Sequence, residues 1–123
     1  MPSSGIRVIL TTAGSEEQGN KIARALVDER LAACVNIVGP IRSPYRWRDA
    51  VEDEREFLMI IKTRTGLYDA VERRIKDLHS YEVPEVIALA PEAVSTPYLE
   101  WLMASTGPEP ARTAARRKQA RPR

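Results

Sequence analysis

Hydrophobic residues cluster first at Ile6, Val8, Ile9 and Leu10, a near-continuous apolar run of the kind found in strands covered or paired on all sides. A first strand is predicted over Ile6 to Thr12. Ser15 followed by Gln18 fits a capping box, and Glu16 and Glu17 suit the positive end of a helix dipole. The helix that starts there places Ile22, Leu26 and small alanines on one face and Lys21, Arg24 and Asp28 in water, ending near Leu31. Cys34, Val35, Ile37 and Val38 predict a second strand over 33 to 41, bent at Gly39-Pro40 because proline donates no ladder hydrogen bond, and resuming through Tyr45 and Trp47.

From Glu54 to Thr63 the pattern has a period of two, with Phe57, Met59 and Ile61 on one side and Leu58, Ile60 and Lys62 on the other. This third strand forms a long hairpin with the second, turning near Arg48 to Val51. Thr65 is the expected cap of a second helix, whose Leu67, Val71, Ile75 and Leu78 recur at helical spacing. A fourth strand is predicted over Val83 to Ala90 and a short closing helix over Tyr98 to Ala104. The order βαββαβ, with right-handed crossovers, predicts a ferredoxin-like α+β sandwich: a four-stranded antiparallel sheet with two helices on one face and a short C-terminal helix. Nothing in the chain covers the other sheet face. An apolar sheet left in water is an aggregation hazard, so assembly of several copies is expected, with the aromatic hairpin as the arm that reaches a neighbour.

With 123 residues the chain matches one domain, and 43% hydrophobic with 29% charged residues excludes a disordered polymer. No apolar run approaches a membrane span and the first residues are too polar for a signal peptide, so the expected location is the cytoplasm, with no membrane partner. The formal charge of +2 misleads. Arg112, Arg116, Arg117, Lys118, Arg121 and Arg123 face one nearby acid, Glu109, so residues 108–123 read as a basic, disordered tail behind a domain of 1–107 that is net acidic. No specific nucleic-acid partner is implied.

His79 is the only histidine, followed by Tyr81, Glu82 and Glu85. Its imidazole suits copper or zinc, while a histidine at a helix end also serves the terminal carbonyls. Cys34 is a second possible ligand, set against the reading of an inert core thiol. Lys62 interrupts an apolar strand and needs a partner, Glu85 or a bound anion. The acidic run Glu52 to Glu56 reads as a solvated edge. No glycine-rich phosphate loop or nucleophile elbow occurs, and a single histidine leaves no acid–base pair, so an enzyme is not expected.

The stretches Leu31-Ala-Ala-Cys-Val-Asn36, Tyr45-Arg-Trp47, Phe57-Leu-Met-Ile-Ile-Lys-Thr-Arg64, His79-Ser-Tyr-Glu-Val-Pro-Glu-Val-Ile87 and Tyr98-Leu-Glu-Trp101 together resemble the CutA family. The resemblance implies a tight homotrimer akin to PII-like signalling proteins and an association with tolerance to divalent metal ions, Cu2+ especially. It also implies an intersubunit cleft for a metal ion or small ligand, with His79 as the metal ligand and Tyr45, Trp47, Lys62, Tyr81 and Glu85 around it. A PII-like sensor or scaffold without a physiological metal is the alternative. The sequence departs from some relatives at Thr11, where certain members carry cysteine, and at Leu78, where some carry a second histidine; weaker or carboxylate-assisted metal binding follows.

Overall fold

The computed structural model describes residues 5–108; the predicted basic tail lies outside the described residues from position 109 onward. In chain order the elements are β1 (Ile6–Ala13), α1 (Glu16–Asp28), β2 (Cys34–Trp47), β3 (Ala50–Arg64), α2 (Tyr68–Leu78), β4 (Ile87–Leu89) and α3 (Thr96–Ala104). The four strands form one sheet in the order β2-β3-β1-β4, with every neighbouring pair antiparallel. This is the ferredoxin-like α+β arrangement that the alternation predicts.

One face of the sheet supplies the core. Ile9, Met59 and Ile61 are fully buried against Ile22 and Leu26 of α1 and Val71 and Ile75 of α2. The opposite face carries Val8 and Leu10 of β1, Leu58 and Ile60 of β3, Val38 of β2 and Ile87 and Leu89 of β4, since residues paired across antiparallel strands share a face. Among the described residues, α3 reaches only the Ile6–Arg64 end of this second surface, where Arg64 holds the helix end, and the rest stays open: Val38 is 45% exposed, and Ile87 and Leu89 are each 49% exposed.

Helix starts follow the sequence in part. Ser15 caps α1 by accepting from the Gln18 amide at 3.1 Å. The capping box is not reciprocal, because the Gln18 side chain donates to the Leu78 carbonyl at 3.3 Å and accepts from the Ser80 amide at 2.9 Å, which ties α1 to the end of α2. Thr65 does not cap α2 directly; a short 3₁₀ turn over Thr65–Leu67 precedes it without a side-chain cap. The fourth strand is shorter than the predicted Val83 to Ala90, since pairing with β1 covers Ile87–Leu89 alone. The last helix is held by two arginines at its carbonyl end, where cations complement the dipole. Arg30 donates to the Ala104 and Gly107 carbonyls, each at 2.7 Å, and Arg64 donates to the Thr106 hydroxyl at 2.9 Å and carbonyl at 2.6 Å.

The bend predicted at Gly39-Pro40 is a β-bulge with a cis peptide bond. Val38 pairs with Leu58 and Ile41 with Glu56, so Gly39 and Pro40 together stand opposite Phe57. One extra residue reverses the facing of everything downstream in β2. Beyond the bulge the hairpin closes in a two-residue turn at Arg48 and Asp49, which adopt φ of 49° and 71°, the left-handed backbone that tight hairpins favour.

Candidate functional site

The bulge decides what the outer end of the hairpin presents. Downstream of it, Ile41, Ser43, Tyr45 and Trp47 pair with Glu56, Glu54, Glu52 and Ala50, placing the aromatic side chains on the same face as the carboxylates. Arg42, Pro44 and Arg46 pair with Arg55, Asp53 and Val51 on the reverse. There, Arg42 and Asp53 form an ion pair that holds the Arg42 guanidinium above its ordinary range. The arm thus has an acidic, aromatic side and a mainly basic side.

The acidic side, together with the segment after α2, walls a cleft of about 720 Å³. Its lining includes Tyr45, Trp47, Glu56, Tyr81, Glu82 and Glu85. That volume falls within the roughly 300–1,000 Å³ of small-molecule sites. At its base the Tyr81 hydroxyl donates to Glu56 Oε2 at 2.7 Å. Burial first, then the hydrogen bond and charge of Glu56, hold the Tyr81 hydroxyl well above the ordinary tyrosine range. Tyr45 is raised as well, by desolvation and then by Glu54, Glu52 and Glu56. At the tip, the Arg48 guanidinium lies 5.3 Å from the Trp47 ring centre and 3.0 Å from Glu82 Oε1.

His79 positions this wall from behind. Its Nε2 lies 2.6 Å from the Thr12 carbonyl, so it is the protonated, donating nitrogen, and Nδ1 accepts from the Tyr81 amide at 3.1 Å. The imidazole also packs at 4.6 Å against the Tyr81 ring. Gly14 completes the fit, since a Cβ there would meet the Tyr81 hydroxyl oxygen at 3.1 Å. A metal ion at His79 would have to displace one of the two backbone hydrogen bonds.

Of the residues grouped by resemblance, Tyr45, Trp47, Tyr81 and Glu85 meet in the cleft of one chain. Lys62 and Cys34 do not. They pair with each other on the outer sheet face, and Lys62 lies six residues along β3 from Glu56, about 20 Å at the rise of a strand. The expected Lys62–Glu85 pair is absent: the ammonium donates to Asn36 Oδ1, which also lies 4.0 Å from Cys34 Sγ. Cys34 is half-buried, so it is neither fully inert core nor open thiol. Glu56 was the residue sequence reasoning missed. It belongs to the acidic run, yet it is buried to 7% exposure, and its pairing across the bulge was the signal. Among the described residues no group of three or more His, Cys, Asp or Glu is gathered as a metal ligand set.

A match to the family model described as CutA1 divalent ion tolerance protein spans residues 7–105. The chain belongs to the CutA1 family. It is 47% identical over 100 residues to the divalent-cation tolerance protein CutA of Thermus thermophilus, covering 81% of this chain and 97% of that protein. It is 46% identical over 99 residues to the chloroplastic CutA 1 protein of Oryza sativa, covering 80% of this chain but 56% of the relative. The solved structure of the Thermus thermophilus CutA1 protein superposes with a TM-score of 0.81 at 46% identity, over 83% of this chain and 99% of that one. The CutA1 match thus runs from β1 to α3 of the described sandwich, the arm included.

Proposed function

We propose that the chain is a cytoplasmic homotrimer that serves divalent-cation tolerance as a binding protein and not as an enzyme. The observation that carries this reading is the outer sheet face, where Val38, Ile87 and Leu89 are open in one chain and join Val8, Leu10, Leu58 and Ile60 in a continuous apolar surface. Covering that surface with copies of the chain removes it from water, and the hairpin arm is the part that extends to a neighbour. Sedimentation at micromolar concentration is expected to report three chains; a folded single chain at that concentration overturns the assembly.

For copper the donors within one chain fall short. A transition-metal site asks for several ligands at once, whereas His79 spends both ring nitrogens on backbone groups. Binding of Cu2+ therefore requires convergence of copies or help from cleft carboxylates, and it is expected to be weak. Calorimetric titration of Cu2+ into the protein and a His79→Ala variant tests the ligand assignment, and equal affinities discard His79.

A second reading, a PII-like trimer that senses or carries a small molecule, is favoured by the cleft itself. Its volume of about 720 Å³ far exceeds what a bare ion fills, and its aromatic walls suit an organic ligand.

A further inference from the structure

We infer that the cleft binds an organic cation, a compound presenting an ammonium group to Glu56 between the rings of Tyr45, Trp47 and Tyr81. This names the ligand class of the small-molecule reading above and rests on it.

Glu56 carries the argument. The residue is 7% exposed and lines the cleft. Its Oε2 accepts from Tyr81, while Oε1 has no hydrogen bond and the carboxylate no ion pair among the described residues, and Oε1 keeps contact with solvent. A carboxylate with so little water around it gains from a positive group that meets its free oxygen. The cations of the arm do not: Arg42, Arg46 and Arg55 are on the reverse face, Arg48 is taken up by Trp47 and Glu82, and Lys62 is engaged with Asn36. Glu52 and Glu54 stand on the same face as Glu56 and deepen the negative field around Tyr45.

The aromatic walls select the kind of cation. Rings of Trp and Tyr attract ammonium and guanidinium groups through their negative faces, and the arm already shows the geometry at its tip. There, Arg48 is placed over Trp47 and against Glu82, so a positive group sits between an indole face and a carboxylate. An ammonium compound needs one carboxylate and such faces, and its carbon skeleton fills volume. A bare divalent ion needs several donors together, which the described residues do not gather. The Tyr81 hydroxyl, kept protonated by burial and by Glu56, remains a neutral wall over the working pH range.

Calorimetric titration of the full chain with choline and with spermidine, each beside its uncharged carbon isostere, tests the inference. The ammonium compounds are expected to bind at least about tenfold more tightly than the isosteres, a factor consistent with one desolvated cation–π and charge contact. Glu56→Gln is expected to remove that preference. Trp47→Leu, at a residue 37% exposed in the single chain, keeps the proposal testable if Glu56→Gln fails to fold, and it is expected to weaken the ammonium compounds more than the isosteres. Equal binding of cation and isostere, or unaltered cation binding in the variants, overturns the inference. So does the absence of cation binding to the parent protein together with a weakened assembly of Glu56→Gln, which would show that a basic residue of a second copy meets Glu56. Sedimentation of the same samples separates the two claims. A trimer without cation preference sinks the ligand class alone, and a folded monomer sinks the assembly.

Discussion

Two faces of one sheet, built from alternate residues of the same strands, behave differently. The inner face of Ile9, Met59 and Ile61 is closed by α1 and α2, while the outer face of Leu10, Leu58 and Ile60 remains half-buried in the single chain. Apolar character alone does not distinguish them. The inner face is matched by helices whose periodicity aims Ile22, Leu26, Val71 and Ile75 at it, and beyond its Ile6–Arg64 end the outer face has no such complement among the described residues. A hydrophobic strand pattern therefore shows that burial is needed, and the neighbouring elements show whether one chain supplies it.

The largest expected effect comes from the inner face. Ile61→Ala should cost about 2–5 kcal/mol of unfolding free energy, the usual range for a buried isoleucine, measured by urea denaturation. Ile60→Ala, one residue along, should cost the isolated chain much less and instead make the melting temperature depend more steeply on protein concentration. A concentration-independent loss equal to that of Ile61→Ala would erase the contrast between the faces. At the junction of the two regimes, Gly39→Ala would bring a Cβ to 2.7 Å from Phe57 Cδ2 and 3.1 Å from the Glu56 carbonyl oxygen. The expected loss is about 1–3 kcal/mol, as for overpacking, and a thermal melt unchanged from the parent would contradict the bulge geometry.

A smaller effect of opposite sign is expected at Thr11. It is fully buried on the inner face, and its hydroxyl oxygen is without a hydrogen-bond partner among the described residues. Thr11→Val removes that penalty at nearly constant volume and should raise stability by about 1 kcal/mol; calorimetric melting that shows a loss would mean that the hydroxyl is satisfied. The smallest effect is confined to alkaline solution. The fold holds the Tyr81 proton beyond the ordinary value of 10.0, whereas the unfolded chain releases it there. This contribution is therefore complete below that pH and is lost as pH rises through the folded value. Ultraviolet titration should show a late tyrosinate phase that Tyr81→Phe abolishes, and a late phase persisting in the variant would place the shifted group elsewhere.

Much of the fold was legible because its signals are local. The two-residue period of Phe57, Met59 and Ile61, the cap at Ser15 and the helical spacing of Val71 and Ile75 each depend on near neighbours, and each stands as the sequence predicts. The cleft was legible in its aromatic members and Glu85, through resemblance. What escaped depends on long-range register. Glu56 looked like part of a solvated edge until the pairing with Ile41 fixed its side, and Lys62 looked like a partner for Glu85 until Asn36, two residues from Cys34, proved closer. Gln18 read as a capping residue, but Leu78 and Ser80 claim its amide from across the fold.

The extra residue at Gly39-Pro40 acts as a half-step in a two-beat rhythm. Were β2 instead to run on through Gly39 and Pro40 in unbroken alternation from Val38, Arg42 and Arg46 would turn to the side of Glu52, Glu54 and Glu56, and the arm would neutralise itself. A one-residue slip in the pairing at this point would thus exchange an unsaturated anionic surface for an internally paired one, with no change to the sequence of the chain.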